Sequence, residues 1–98
     1  MKILILGAGQ VGTSVAAALS IEDENDITVV DRDMTRLREL TEKLDIRAVA
    51  GHASLPSILT QAGVEEADLL VAVTSSDEVN IIACQIAAQQ SKSPIRVA

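Results

Sequence analysis

Apolar residues in this chain fall into short uninterrupted runs that alternate with stretches of helical spacing. The residues from Lys2 to Leu6 end in Ile-Leu-Ile-Leu and are closed by glycine, as expected of a central parallel strand covered on both faces. Val11, Val15 and Leu19 then recur every four residues among alanines, which predicts a helix with that apolar face. Polar Glu22 to Asp26 makes a turn, and Ile27 to Val30 is a second strand ending at Asp31. From Asp33, a suitable N-cap, an amphipathic helix runs to about Lys43 with Leu37, Leu40 and Leu44 on one side.

Ile46 to Ala50 reads as a third strand, broken by Gly51. Ser54 and Pro56 open a short helix that carries Leu55, Ile58 and Leu59 and stops near Gly63. Leu69 to Val73 is a fourth strand. Beyond it, Ser75 and Glu78 have the spacing of a capping box at the start of the longest helix, which reaches about Ser91. After Ser93-Pro94, Ile95 to Ala98 begins a fifth strand.

Regular alternation of strand and helix places the chain in the α/β class, as a Rossmann-like, doubly wound parallel sheet with helices on both faces. Right-handed crossovers give the strand order 3-2-1-4-5. The 98 residues suffice for one domain, 1–98, with no repeat or linker. Because the sequence stops inside a strand, the expectation is a domain incomplete at its C-terminus, before a sixth strand.

Composition changes this picture in a few respects. There is no Phe, Tyr or Trp, so the core must be built from Val, Ile, Leu and Ala. A core of that kind buries limited area, and docking to more protein or to a ligand would stabilise it. The formal net charge is -6 and the eight basic residues form no patch, which argues against nucleic acid as a partner. A single cysteine, Cys84, permits no internal disulfide and no multi-cysteine metal site, consistent with a reducing cytosol. The first apolar run ends at Gly7, too early for a secretion signal. No stretch approaches the roughly 20 apolar residues of a membrane span, so membrane contact would go through a partner.

Candidate chemistry lies where the strands end. Gly7-Ala8-Gly9-Gln10-Val11-Gly12 is G-x-G-x-x-G between the first strand and the first helix. There Gly7 permits the tight turn, Gly9 lets backbone approach a pyrophosphate, and Gly12 lets helix and strand pack closely. The N–H groups at the helix start would face the phosphates. Asp31 ends the second strand, where an acid accepts hydrogen bonds from the adenosine ribose and repels a 2'-phosphate, favouring NAD over NADP. Arg32 complicates that choice, since beside Asp31 it either pairs with a phosphate or turns to solvent or an adenine face.

Thr74, Ser75 and Asp77 follow the fourth strand at the same crevice. Ser75 and Asp77 are explained equally well by contact with the ribose or phosphate on the nicotinamide side and by helix capping. Gly51 and His52 follow the third strand on that edge and could approach the adenine, although His52 is equally well an ordinary loop histidine. The longest helix is apolar most of the way round: Val79, Ile82, Ala83 and Ile86 form one stripe, and Ile81, Cys84 and Ala88 another. That pattern predicts a subunit or domain contact, with Cys84 as a packing residue. A dehydrogenase would need an acid–base residue and a substrate pocket, and the sequence supplies neither. A nucleotide held without chemistry points to regulation; the competing readings are the cofactor-binding half of a small NAD-dependent oxidoreductase and a structural module with an empty crevice.

The opening Met-Lys-Ile-Leu-Ile-Leu-Gly-Ala-Gly-Gln-Val-Gly, with Asp26 to Asp31, Arg36 to Leu40, Gly51-His52 and Asp68 to Asn80, resembles the RCK (KTN) family of regulatory domains. The form it resembles is the one found in the cytosolic regulators of bacterial Trk potassium uptake. The resemblance covers essentially the whole chain. It implies binding of NAD or NADH, with ATP or ADP as competitors, through Gly7 to Val11, Asp31, Thr74 and Ser75. It also implies homo-oligomers, as dimers or a four-domain ring, in the cytoplasm beneath an inner-membrane partner similar to TrkH. The family adds a basic residue early in the fifth strand, for which Arg96 and a residue beyond Ala98 are the candidates. Ligands that contact the crevice differently would favour different arrangements of neighbouring domains, and so act on the membrane partner.

Overall fold

The computed structural model describes residues 1–90 and 95–97, with no side-chain description for 95–97. Strands β1 (Lys2–Leu6), β2 (Asp26–Asp31), β3 (Arg47–Ala50), β4 (Leu69–Ala72) and β5 (Ile95–Val97) alternate with helices α1 (Gln10–Leu19), α2 (Met34–Lys43), α3 (Pro56–Gln61) and α4 (Asp77–Gln90). A short 3-10 helix, Val64–Glu66, precedes β4. All pairings are parallel and the five strands lie in the order β3-β2-β1-β4-β5, as the sequence predicts. The expected turn at Ser93-Pro94, the end of the long helix at Ser91 and the residue Ala98 lie outside the described residues, as does the side chain of Arg96.

The doubly wound arrangement follows from strand alternation. On β1, Ile3 and Ile5 join Ile27, Val29 and Val71 on one face, packed against Ala16 of α1 and Leu37 and Leu40 of α2. Leu4 and Leu6 point the other way, into a second core with Val30, Leu70, Leu59 of α3 and Ala83 and Ala87 of α4. A strand buried on both faces cannot alternate apolar with polar residues, which is why β1 reads as an unbroken run.

Helix ends explain the element boundaries. Asp33 caps α2 as expected, its carboxylate accepting from the N–H groups of Thr35 at 2.9 Å and Arg36 at 3.3 Å. Pro56 occupies the first turn of α3, whose N-cap is Leu55 rather than Ser54, and Gly63 at φ +92° ends that segment in a left-handed turn. β3 begins at Arg47, one residue later than predicted, because the Ile46 N–H donates to the Leu44 carbonyl in the turn after α2.

Three expectations from spacing need correction. The predicted α1 stripe holds in part: Val15 and Leu19 pack, partly buried, against the core under the sheet, but the buried positions of the helix are Gly12 and Ala16, and Val11 is 58% exposed. The cap of α4 is Ser76, whose Oγ accepts from the Val79 N–H at 3.2 Å, and not Ser75 paired with Glu78. On α4 the core face is Asn80, Ala83 and Ala87 with Val79, Cys84 and Ile86 alongside, whereas Ile81 and Ile82 are exposed.

Candidate functional site

The carboxyl ends of β1, β2, β3 and β4 surround a crevice of about 430 Å³, within the range of small-molecule sites. Its floor is the loop between β1 and α1. Gly7 holds φ +110°, a conformation that favours glycine, and its N–H donates to the Val30 carbonyl at 2.8 Å, fixing the loop to β2. A Cβ on Gly7 would lie 2.8 Å from the Val73 carbonyl oxygen and 3.0 Å from Thr74 Cα. One on Gly12 would collide with the Gly7 carbonyl. Around Gly9, by contrast, a Cβ would meet nothing within 4 Å, so the space above this N-cap of α1 is open to the crevice.

Asp31 is drawn into the same loop. One carboxylate oxygen accepts from the Ala8 N–H at 2.7 Å and the other from the Asp33 N–H at 2.7 Å. Two charge-assisted bonds to backbone orient the carboxylate at the end of β2, where its remaining lone pairs stay available for hydroxyl donors. Arg32 and Arg36 line the crevice beside it. Arg36 also approaches Asp33, with Nε 3.7 Å from the carboxylate and both side chains at least half exposed, so the guanidinium is lightly held.

On the β3 side, Gly51 and His52 line the crevice, and the Gly51 N–H donates to the Asp31 carbonyl at 3.0 Å. His52 Nδ1 accepts from the Ser54 N–H at 3.2 Å and lies 2.6 Å from Ser54 Oγ.

Opposite, the segment after β4 supplies Thr74, Ser75 and Ser76. Thr74 is held by Asn80: its N–H and Oγ1 donate to Asn80 Oδ1 at 2.9 and 2.7 Å, and its carbonyl accepts from Asn80 Nδ2 at 3.2 Å. Ser75 is exposed on the rim.

Of the positions singled out in the sequence, Gly7, Gly9, Asp31, Arg32, Gly51, His52, Thr74 and Ser75 thus line one crevice. Ala8 and Gln10 instead border a shallower hollow of about 380 Å³ between α1 and α2, which Gly9 and Arg36 share. Val11 faces outward and Gly12 is buried against Gly7. Arg36, Ser76 and Val79 also line the crevice, although the sequence offered none of them as a site residue. Arg36 belongs to the charged face of a helix and sits one turn in from its cap, a position from which a long side chain can reach back over the strand ends. Among the described residues no cluster of His, Cys, Asp and Glu could hold a metal ion, and no helix is long and apolar enough to cross a membrane.

Comparison with known proteins matches residues 3–98 to the TrkA-N domain family. The Trk system potassium uptake protein TrkA of Halomonas elongata is 60% identical over all 98 residues, which span about one fifth (21%) of that protein. Among solved structures, the Shewanella denitrificans Kef C-terminal domain in its AMP-bound form superposes with a TM-score of 0.83 at 19% identity, covering 98% of this chain and 57% of that one. The GsuK channel bound to NAD superposes with a TM-score of 0.78 at 21% identity, covering 96% of this chain and 17% of that one. At these identities the structural likeness establishes the fold.

Proposed function

The chain belongs to the TrkA-N domain family, and from that premise we propose that it is the nucleotide-sensing unit of a regulator of potassium uptake. The ligand is NAD or NADH, with ATP or ADP as competitors for the adenosine half of the site. The observation that carries this reading is the crevice, in which an open glycine N-cap, an oriented carboxylate and two arginines meet at the strand ends. Phosphates would lie over Gly9 at the start of α1, where the first-turn N–H groups and the helix dipole favour negative charge. The ribose diol would donate to Asp31, and Ser75 would reach the second half of a dinucleotide. AMP and NAD, held by the two structural neighbours, share an adenosine 5'-phosphate, the part that this crevice is built to read.

Regulation rather than turnover fits the side chains at hand. Asp31 has each carboxylate oxygen bonded to a backbone N–H and His52 has Nδ1 bonded to Ser54, contacts by which both side chains serve to shape and orient the crevice. The regulated partner would be a TrkH-like potassium transporter subunit in the inner membrane, with copies of this domain assembled as a dimer or four-domain ring on its cytoplasmic side. Ligand identity would act through differential affinity for two arrangements of those copies.

Calorimetric titration with NAD, NADH, NADPH and ATP, repeated on Asp31→Ala, tests the reading. Binding of NADH that is at least about tenfold weaker in the variant is expected. Equal binding by the two proteins would remove Asp31 from the site, and no binding of any nucleotide would remove the function.

A further inference from the structure

Asn80 is the one polar side chain buried among the described residues, at 9% exposure, and it sits in the first turn of α4 with Ala83 and Ala87 on the same face. A buried amide needs partners for an acceptor and a donor at once. Thr74 provides both: its N–H and hydroxyl donate to Oδ1, and its carbonyl accepts from Nδ2. The Thr74 hydroxyl has one proton, and the nearer acceptor is Asn80 at 2.7 Å rather than the Ser76 carbonyl at 3.1 Å. The Ser76 N–H in turn donates to Thr74 Oγ1 at 3.2 Å, so Asn80 organises the whole segment that forms one wall of the crevice.

That wall abuts the floor. The Thr74 backbone lies so close to Gly7 that a Cβ there would be 3.0 Å from both Thr74 N and Thr74 Cα. Gly7 cannot retreat, because its carbonyl is pressed against Gly12 and its N–H is bound to β2. Thr74 is therefore the contact through which α4 sets the separation between the segment after β4 and the glycine loop.

We propose that Asn80 is a positioning residue for nucleotide binding: its three hydrogen bonds to Thr74 hold Ser75 and Ser76 at the distance from the glycine loop that a bound nucleotide requires. The inference rests on the proposed nucleotide site and adds to it a residue that touches no ligand. It also changes the part played by Thr74, whose polar groups are turned to Asn80 and so serve the framework. Ser75 is left as the ligand-facing group of the segment.

The test uses the full chain and the fluorescence of NADH, which nothing in a protein without Trp, Tyr or Phe obscures. Asn80→Asp preserves shape but, when ionised, sets an acceptor against the Thr74 carbonyl. Its affinity for NADH at pH 7.5 is expected to be at least about tenfold below that of the unaltered chain. The loss should concern the half of the dinucleotide beside Ser75, so the affinity for AMP should fall no more than about threefold in the same folded variant. Equal affinity of Asn80→Asp and the unaltered chain for NADH at pH 7.5, or an equal loss for AMP in the folded variant, overturns the proposal. Amide exchange on the unaltered chain gives a second measurement that no misfolded variant can spoil. The Thr74 N–H should exchange slowly before NADH is added, and protection that appears only with NADH would overturn the proposal, since its acceptor would then be the ligand. Failure of the unaltered chain to bind NADH would overturn the site reading itself, and this inference with it.

Discussion

The carboxylate of Asp31 accepts a hydrogen bond from the backbone N–H of Ala8 at 2.7 Å, joining the end of β2 to the glycine loop 23 residues earlier in the chain. A residue singled out for ribose recognition is therefore part of the framework that shapes the glycine loop. Its second oxygen, bonded to the Asp33 N–H, also prepares the entry to α2.

Replacing Asp31 should consequently change two things. Asp31→Ala leaves two backbone N–H groups without their acceptor and should cost about 1–3 kcal/mol in stability, read as a lower melting temperature without ligand. Asp31→Asn keeps one acceptor and removes the negative charge, so the preference for NADH over NADPH should narrow while stability falls less. An unchanged NADH to NADPH ratio in Asp31→Asn would show that the carboxylate does not discriminate at the 2' position.

The glycines of the loop should separate fold from ligand. Gly12→Ala drives a methyl into the Gly7 carbonyl and should destabilise the chain by more than about 3 kcal/mol. Gly9→Ala points a methyl into open space and should melt within a few degrees of the unaltered chain, yet lose nucleotide binding because that space is where phosphate would lie. Melting curves and NADH titration on both variants check the contrast.

Two adjacent serines should behave differently. Ser76→Ala removes the cap of α4 and should cost about 1 kcal/mol, with the melting temperature as readout. Ser75→Ala, on the rim, should leave stability within about 0.5 kcal/mol and weaken NADH binding instead.

The exposed pair on α4 concerns assembly. Ile81 and Ile82 are 56% and 42% exposed on a helix whose opposite face already fills the core. Ile81→Ser combined with Ile82→Ser should leave the melting temperature of the chain nearly unchanged and lower the molar mass measured by light scattering. An unchanged mass would remove this face from the subunit contact.

Most of the sheet was legible because residues buried on both faces leave no choice but an unbroken apolar run, as in Ile3 to Leu6. Helix faces were less legible. In α1, Val15 and Leu19 pack against the core as their spacing predicts, but the buried positions are Gly12 and Ala16, so the larger Val11 misled a reading that equates size with burial. Asn80 went unnoticed for a related reason: a polar residue in a helix is usually solvated, and only its spacing to Ala83 and Ala87 marks it as inward-facing. Ser75 and Ser76 each have a residue three positions on, and spacing alone cannot tell which hydroxyl meets an N–H. The crevice was legible residue by residue, since strand ends in a doubly wound sheet converge, but Arg36 reaches it from a helix that the sequence presents as a solvated surface.

Two of the three glycines in the fingerprint are demanded by the chain's own packing, Gly7 by the neighbouring strand end and Gly12 by Gly7, and only Gly9 borders space that the protein leaves unfilled. The first and third glycines thus answer to the fold, and the second to whatever enters the crevice. A descendant that ceased to bind nucleotide would keep its first and third glycines for as long as it kept the fold, and would be free to drift at the second. Within such a lineage, a side chain at the middle position is the mark of a silent crevice.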